Sequence, residues 1–158
     1  MIDQGYNQNI QTSIAGQITD FTVKPTSLFN GDLNTYTFSL KTIIPLIPGD
    51  VISFIAPNSI TLPKTNSTNL CFAEDSTQTV TCGISGQNIL VTYQSGANIT
   101  SLTWSMLNVT NPPSIQKSSG FTKISISDVK SYLVAEFTSE SNGVTNVYPA
   151  NITSAVLF

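Results

Sequence analysis

The chain has 158 residues, 40% of them apolar, enough for one domain with a buried core. Only 9% are charged, against roughly 25% in ordinary soluble domains, and the formal net charge is −3. All six basic residues are Lys, so no Arg-bearing basic stripe exists to neutralise phosphates, and nucleic acid is excluded as a partner. Histidine is absent, which removes every Ser-His-Asp and Cys-His mechanism from this chain.

The first eighteen residues carry a sparse apolar stripe. Ile2, Tyr6, Ile10, Ile14 and Ile18 share one face of an extended strand, and the odd positions are mostly polar. The phase breaks afterwards, because Phe21 and Val23 are odd. Two readings fit residues 1–18: an edge strand of the chain's own sheet, or an extension that completes a neighbour's sheet by β-augmentation. The second makes Ile2, Tyr6, Ile10 and Ile14 subunit-interface residues. The segment has no basic and apolar leader pattern. The expectation is a mature chain or one segment of a longer precursor, divided into an extended strand over 1–18 and a single sandwich over 19–158.

Period-2 alternation dominates the rest. Tyr36, Phe38 and Leu40 point inward between Thr37, Ser39 and Lys41. Val51 to Ala56 is apolar on both sides, as in a central strand. Leu102, Trp104 and Met106 form a third inward face, Ile124 and Ile126 a fourth, and Leu133, Ala135 and Phe137 a fifth. Turn chemistry separates these runs at Asn30-Gly31-Asp32, Pro48-Gly49-Asp50, Ser95-Gly96-Ala97-Asn98, Asn111-Pro112-Pro113 and Asn142-Gly143. The spacing predicts an all-β, antiparallel β-sandwich of about nine strands. Its predicted core centres on Phe38, Leu40, Ile52, Phe54, Leu102, Trp104, Ile124 and Ile126. No apolar run approaches the ~18–20 residues of a membrane span; Pro45, Pro48 and Gly49 break the best ones.

Cys71 and Cys82 read as a disulfide if the chain is secreted, closing a hairpin whose tip carries Glu74 and Asp75. The competing reading is two buried thiols. Four N-x-[ST] motifs, at Asn66, Asn98, Asn108 and Asn151, are acceptors for N-glycans in an extracellular protein. A surface built from Thr, Ser, Asn and Gln repels its neighbours weakly. Glycans would correct that, and so would packing into an assembly. Asp32 with Asn30 and Asn34 reads either as an Asx-rich turn or as oxygen ligands for a cation. Trp104 reads either as core or as a sugar-stacking platform. No metal or cofactor motif occurs, no phosphate loop, and no carboxylate pair at a recognisable spacing.

The succession Phe21-Thr22-Val23-Lys24-Pro25, Asn34 to Leu40, Ile47-Pro48-Gly49-Asp50-Val51-Ile52, Ala56-Pro57, the two cysteines and Leu107-Asn108-Val109-Thr110-Asn111-Pro112-Pro113 resembles a known family. It is similar to the Ig-like β-sandwich repeat of large Thr/Ser-rich surface proteins of ciliates and other protists, over roughly residues 20–127. The resemblance implies an extracellular, tandem or assembled structural module without catalytic residues. Taken together, the expectation is a non-enzymatic structural glycoprotein of a surface coat or filament, self-associating through strand exchange. The alternative is an adhesin-like module that binds a glycan or protein through its loops.

Overall fold

The fold is described from a computed structural model, over residues 16–64, 70–113 and 120–137. Nine strands and no helix occur among the described residues: β1 (Gly16–Pro25), β2 (Leu33–Leu46), β3 (Val51–Ile55), β4 (Cys71–Ala73), β5 (Thr79–Ser85), β6 (Asn88–Ser95), β7 (Ile99–Thr110), β8 (Thr122–Ser127) and β9 (Leu133–Glu136). They follow the order β4-β7-β2-β1-β9-β8-β3-β6-β5. The two ends of that order fold over one another into an Ig-like sandwich. Phe38 of β2 meets Phe54 of β3 at 5.2 Å between ring centroids, and Trp104 of β7 meets Phe54 at 6.1 Å.

β1 joins the two layers. Gly16 and Gln17 pair in parallel with Ala135 and Glu136 of β9, and from Ile18 onward the strand pairs antiparallel with β2. The ladder slips between Ile18 and Asp20. This bulge is the physical cause of the change in apolar phase: Ile18 is buried before it and Phe21 after it. The strand therefore runs through the 18/19 boundary without interruption. Ile2, Tyr6, Ile10 and Ile14 lie outside the described residues.

The inward faces of the central strands follow the alternation. Phe38 sits opposite Trp104, and Leu40 opposite Leu102, across β2 and β7. Ile52 sits opposite Ile126 across β3 and β8. All eight predicted core residues are at most 2% exposed. Phe38 and Trp104 stack at 5.4 Å with 12° between their planes, and Phe121 closes on Phe38 edge-on. Trp104 is thus a core residue and not a sugar platform. Its buried indole Nε1 has no hydrogen-bond partner among the described residues, and the rings of Phe21, Phe38 and Phe54 beside it carry no acceptor oxygen.

Two expectations are corrected. Leu133 is 49% exposed, not inward. β9 bulges where Ile126 faces Ala135 but Ser127 faces Leu133, so one residue is skipped and Leu133 leaves the core face. The cysteines do not close a hairpin. β4 pairs with β7 in one layer, and β5 with β6 in the other. The tight hairpin is β5–β6, whose turn places Gly86 at φ 61 with Ser85 opposite Asn88.

Candidate functional site

The best-built polar feature lies where β1 hands over to β2. Pro25 ends β1 and Leu33 begins β2, and the residues between them turn around Asn34. The Asn34 Oδ1 accepts from the Thr26 hydroxyl at 2.5 Å and from the backbone N–H of Ser27 at 2.9 Å and Thr35 at 3.0 Å. Its Nδ2 donates to the Ser27 carbonyl at 2.6 Å and to Asn111 Oδ1 at 3.1 Å. Asn111 completes the lock from the end of β7. Its Oδ1 also accepts the Tyr36 hydroxyl at 2.6 Å, and its Nδ2 donates to the carbonyls of Ser27 and Phe29 at 2.9 and 2.7 Å. Both carboxamides are buried, and a buried amide is stable only when its donors and acceptors are met. The loop backbone supplies those partners, so the loop is held in one shape.

This settles the two readings of the Asn30–Asn34 cluster in favour of the turn. The Asn34 oxygen is taken by three donors, and the Asp32 carboxylate accepts the Ser27 hydroxyl. The lock extends through Gly31 N–H to the Pro112 carbonyl at 2.9 Å, and through Asn30 Nδ2 to the Pro113 carbonyl at 2.9 Å. Sequence reading found the turn but not its partner. Asn111 stood in the Asn-Pro-Pro stretch as a strand terminator, and nothing local links it to a residue 77 positions away.

The locked loop presents large apolar side chains to water beside polar ones such as Thr26. Leu28 and Phe29 are each 41% exposed and Leu33 is 68% exposed. A loop that exposes large apolar side chains on an immobilised backbone has already met the ordering cost of binding.

The other predicted residues are dispersed. Cys71 and Cys82 are bonded, with Cα atoms 5.7 Å apart. The bond ties β4 to β5, the two outermost strands, and so fastens one seam of the sandwich while β1 bridges the other. Between them, Glu74 accepts the Ser105 hydroxyl, and Asp75 accepts Thr77 N–H and Oγ1 at 2.9 and 2.7 Å. Those Thr77 hydrogen bonds, the backbone one foremost, hold the Asp75 carboxyl below its usual 3.8. At Tyr93, burial first and the Asp75 charge second push the phenol above 10.0. Its hydroxyl donates to the Ala97 carbonyl at 2.6 Å.

Asn98 and Asn108 are both exposed. Asn98 lies in the turn between β6 and β7. Asn108 lies inside β7, where the register slips and its φ is 61. Asn tolerates that left-handed conformation better than most residues, which explains Asn there independently of glycosylation. Asn66 and Asn151 lie outside the described residues. An open groove of about 430 Å³, lined by Ile60, Leu62, Lys64 and Gln87 among others, assembles no reactive group; the Gln87 amide donates to backbone carbonyls, including Pro57 O at 2.8 Å. No group of three metal-ligating side chains occurs among the described residues. None of their helices could cross a membrane, since none forms.

No protein-family model matches the chain, and no curated protein matches it significantly. Among solved structures, it is similar to a non-cellulosomal cohesin from the hyperthermophilic archaeon Archaeoglobus fulgidus. That likeness has a TM-score of 0.43 and 11% identity, over 77% of this chain and 93% of that one. At that distance it assigns no function. The resemblance to protist surface repeats gains no support from these comparisons, and what stands is the all-β sandwich.

Proposed function

We propose that the chain is a structural extracellular module, a subunit or repeat of a surface coat or filament, and not an enzyme. In this reading, copies join by strand exchange. Residues 1–15 of one copy add to a free sheet edge of the next and place Ile2, Tyr6, Ile10 and Ile14 between subunits. The observation that carries the reading is the outer edge of β1. Beyond Gln17, no strand among the described residues pairs with it on that side, although the strand runs on to Pro25. An unpaired edge of this length is a template for an added strand. The inter-layer disulfide suits an oxidising compartment. Weak charge suits close packing or a coat of N-glycans.

The test is removal of residues 1–15, which leaves Gly16 and its pairing in place. Sizing and electron microscopy of native and shortened protein then compare assembly. Strand exchange requires the shortened chain to lose its polymers; unchanged polymers rule it out.

The second reading, an adhesin-like module that binds through its loops, is favoured by the locked Leu28-Phe29 loop. A monomer that captures a defined glycan or protein, and loses it on Phe29→Ser, would establish that reading.

A further inference from the structure

The locked turn contains a chemically labile pair, Asn30-Gly31. Gly31 has φ 76, the left-handed region that favours glycine, so the turn itself calls for glycine there. Asn30 supplies the Nδ2 that donates to the Pro113 carbonyl. Together they make the dipeptide most prone to cyclise, because no side chain shields the glycine nitrogen from the asparagine carboxamide. Asn30 is the only described asparagine with glycine after it; the others precede Thr35, Ser59, Ile89, Ile99, Val109 and Pro112. Asn30 is half-buried and Gly31 exposed, so water reaches the pair.

The reaction needs two groups that the fold holds. The Gly31 nitrogen must lose its proton to a base in solvent and attack Asn30 Cγ. Nδ2 then leaves as ammonia, and a succinimide ring remains. Water opens the ring at one carbonyl or the other, giving aspartate or isoaspartate. In the folded chain the Gly31 N–H is committed to the Pro112 carbonyl at 2.9 Å, and Asn30 Nδ2 to the Pro113 carbonyl at 2.9 Å. The first bond retains the proton that must leave, and the second pins the carboxamide that must be attacked. Asn111 brackets the pair from both sides. Its Nδ2 holds the Phe29 carbonyl at 2.7 Å, and its backbone N–H holds the Asp32 carbonyl at 2.9 Å.

We infer that the Asn111 lock keeps Asn30-Gly31 unreacted, and that opening the lock converts Asn30 to aspartate or isoaspartate. The product cannot re-enter the lock. A carboxylate has no N–H to give to the Pro113 carbonyl, and isoaspartate adds a methylene to the backbone. Opening is therefore a one-way step, and the loop that carries Leu28 and Phe29 loses its fixed shape with it. No residue of 1–15 takes part, so strand exchange can fail or succeed without bearing on Asn30. Hydrogen exchange at Gly31 needs the same N–H to be released, so conversion is slowed at least as much as exchange.

The experiment incubates the disulfide-intact full chain in warm, mildly alkaline buffer and follows Asn30 by peptide mapping, which separates the acid and its isoaspartyl isomer from the amide. The same chain in guanidinium chloride gives the unprotected rate. Folded chain should convert Asn30 at least roughly tenfold more slowly, with Gly31 N–H exchange protected by NMR. Asn111→Ala, checked for fold by circular dichroism, should convert Asn30 several-fold faster than the native chain. If that variant does not fold, Thr26→Val, which takes a donor from Asn34 Oδ1 at an exposed position, should act in the same direction. Replacing both cysteines by Ala weakens the fold elsewhere and leaves the lock intact, so Asn30 should convert there at the native rate. The inference is overturned if Asn30 converts as fast folded as unfolded, or if neither lock variant that folds is faster than the native chain. It is also overturned if the cysteine variant is as fast as the lock variant, which would assign the protection to the fold as a whole.

Discussion

The Tyr36 hydroxyl donates to Asn111 Oδ1 at 2.6 Å, joining the start of β2 to the residue after β7 across 75 positions. Both side chains are buried, and the same oxygen accepts Asn34 Nδ2. Asn111→Ala would leave the Tyr36 hydroxyl, the Asn34 amide and two loop carbonyls without that partner. We expect a loss of about 3 kcal/mol in urea unfolding, since an abandoned buried polar group costs ~1–3 kcal/mol and water reaches some of them. Tyr36→Phe removes one donor and leaves Asn111 satisfied by Asn34, so it should cost only ~1 kcal/mol. The double variant should fall short of the sum, because the two share one network.

The disulfide between Cys71 and Cys82 should survive denaturation without reductant, giving no alkylation at either cysteine. Closing eleven residues stabilises by roughly 3 kcal/mol through loop-closure entropy. Replacing both cysteines by Ala should lower the unfolding midpoint accordingly. Opening β4 and β5 also frees the seam, so hydrogen exchange should rise first at those two strands.

At Trp104 the cost depends on what replaces the indole. Trp104→Ala should destabilise by ~3–5 kcal/mol, as for other buried aromatics. Trp104→Phe keeps a ring against Phe38 and removes an N–H that has no partner, so it should cost about 1–2 kcal/mol. Equal losses for the two variants would show that a ring stacked on Phe38 does not hold this part of the core.

Glycosylation and backbone geometry can be separated at Asn108. Peptide mapping of native material after glycosidase treatment should show Asn-to-Asp conversion at Asn98 and Asn108, both exposed. Asn108→Gly removes the acceptor yet suits the positive φ, so stability should hold apart from any contribution of the glycan. Asn108→Val should cost ~1–2 kcal/mol, because a β-branched residue is strained there.

Acid acts on the Asp75 turn. Its folded pKa lies below 3.8, so the support from Thr77 is fully present above that value and is lost as pH falls through the lower folded one. NMR titration of Asp75 should place its midpoint below 3.8, and Thr77→Ala should raise it. The effect is local, because the carboxyl is exposed.

Much of this architecture is present in local pattern. Alternation puts Phe38, Leu40, Leu102 and Trp104 on inward faces because side chains on a strand alternate by geometry alone. Gly49 and the Asn111-Pro112-Pro113 stop mark strand ends through backbone chemistry that needs no partner. Other features depend on which strands meet. The phase change after Ile18 is visible in the sequence, but only the tertiary structure shows that it is a bulge where β1 passes between layers. Cys71 and Cys82 are close enough in sequence for a hairpin, and long-range pairing with β7 and β6 turns their bond into a clasp between layers. Leu133 keeps the right spacing and still faces water, because a skipped residue in β9 reverses its side. Asn34 and Asn111 lock a loop only once β2 and β7 lie together. Residue periodicity is a property of one strand, whereas register, layer and burial arise between strands.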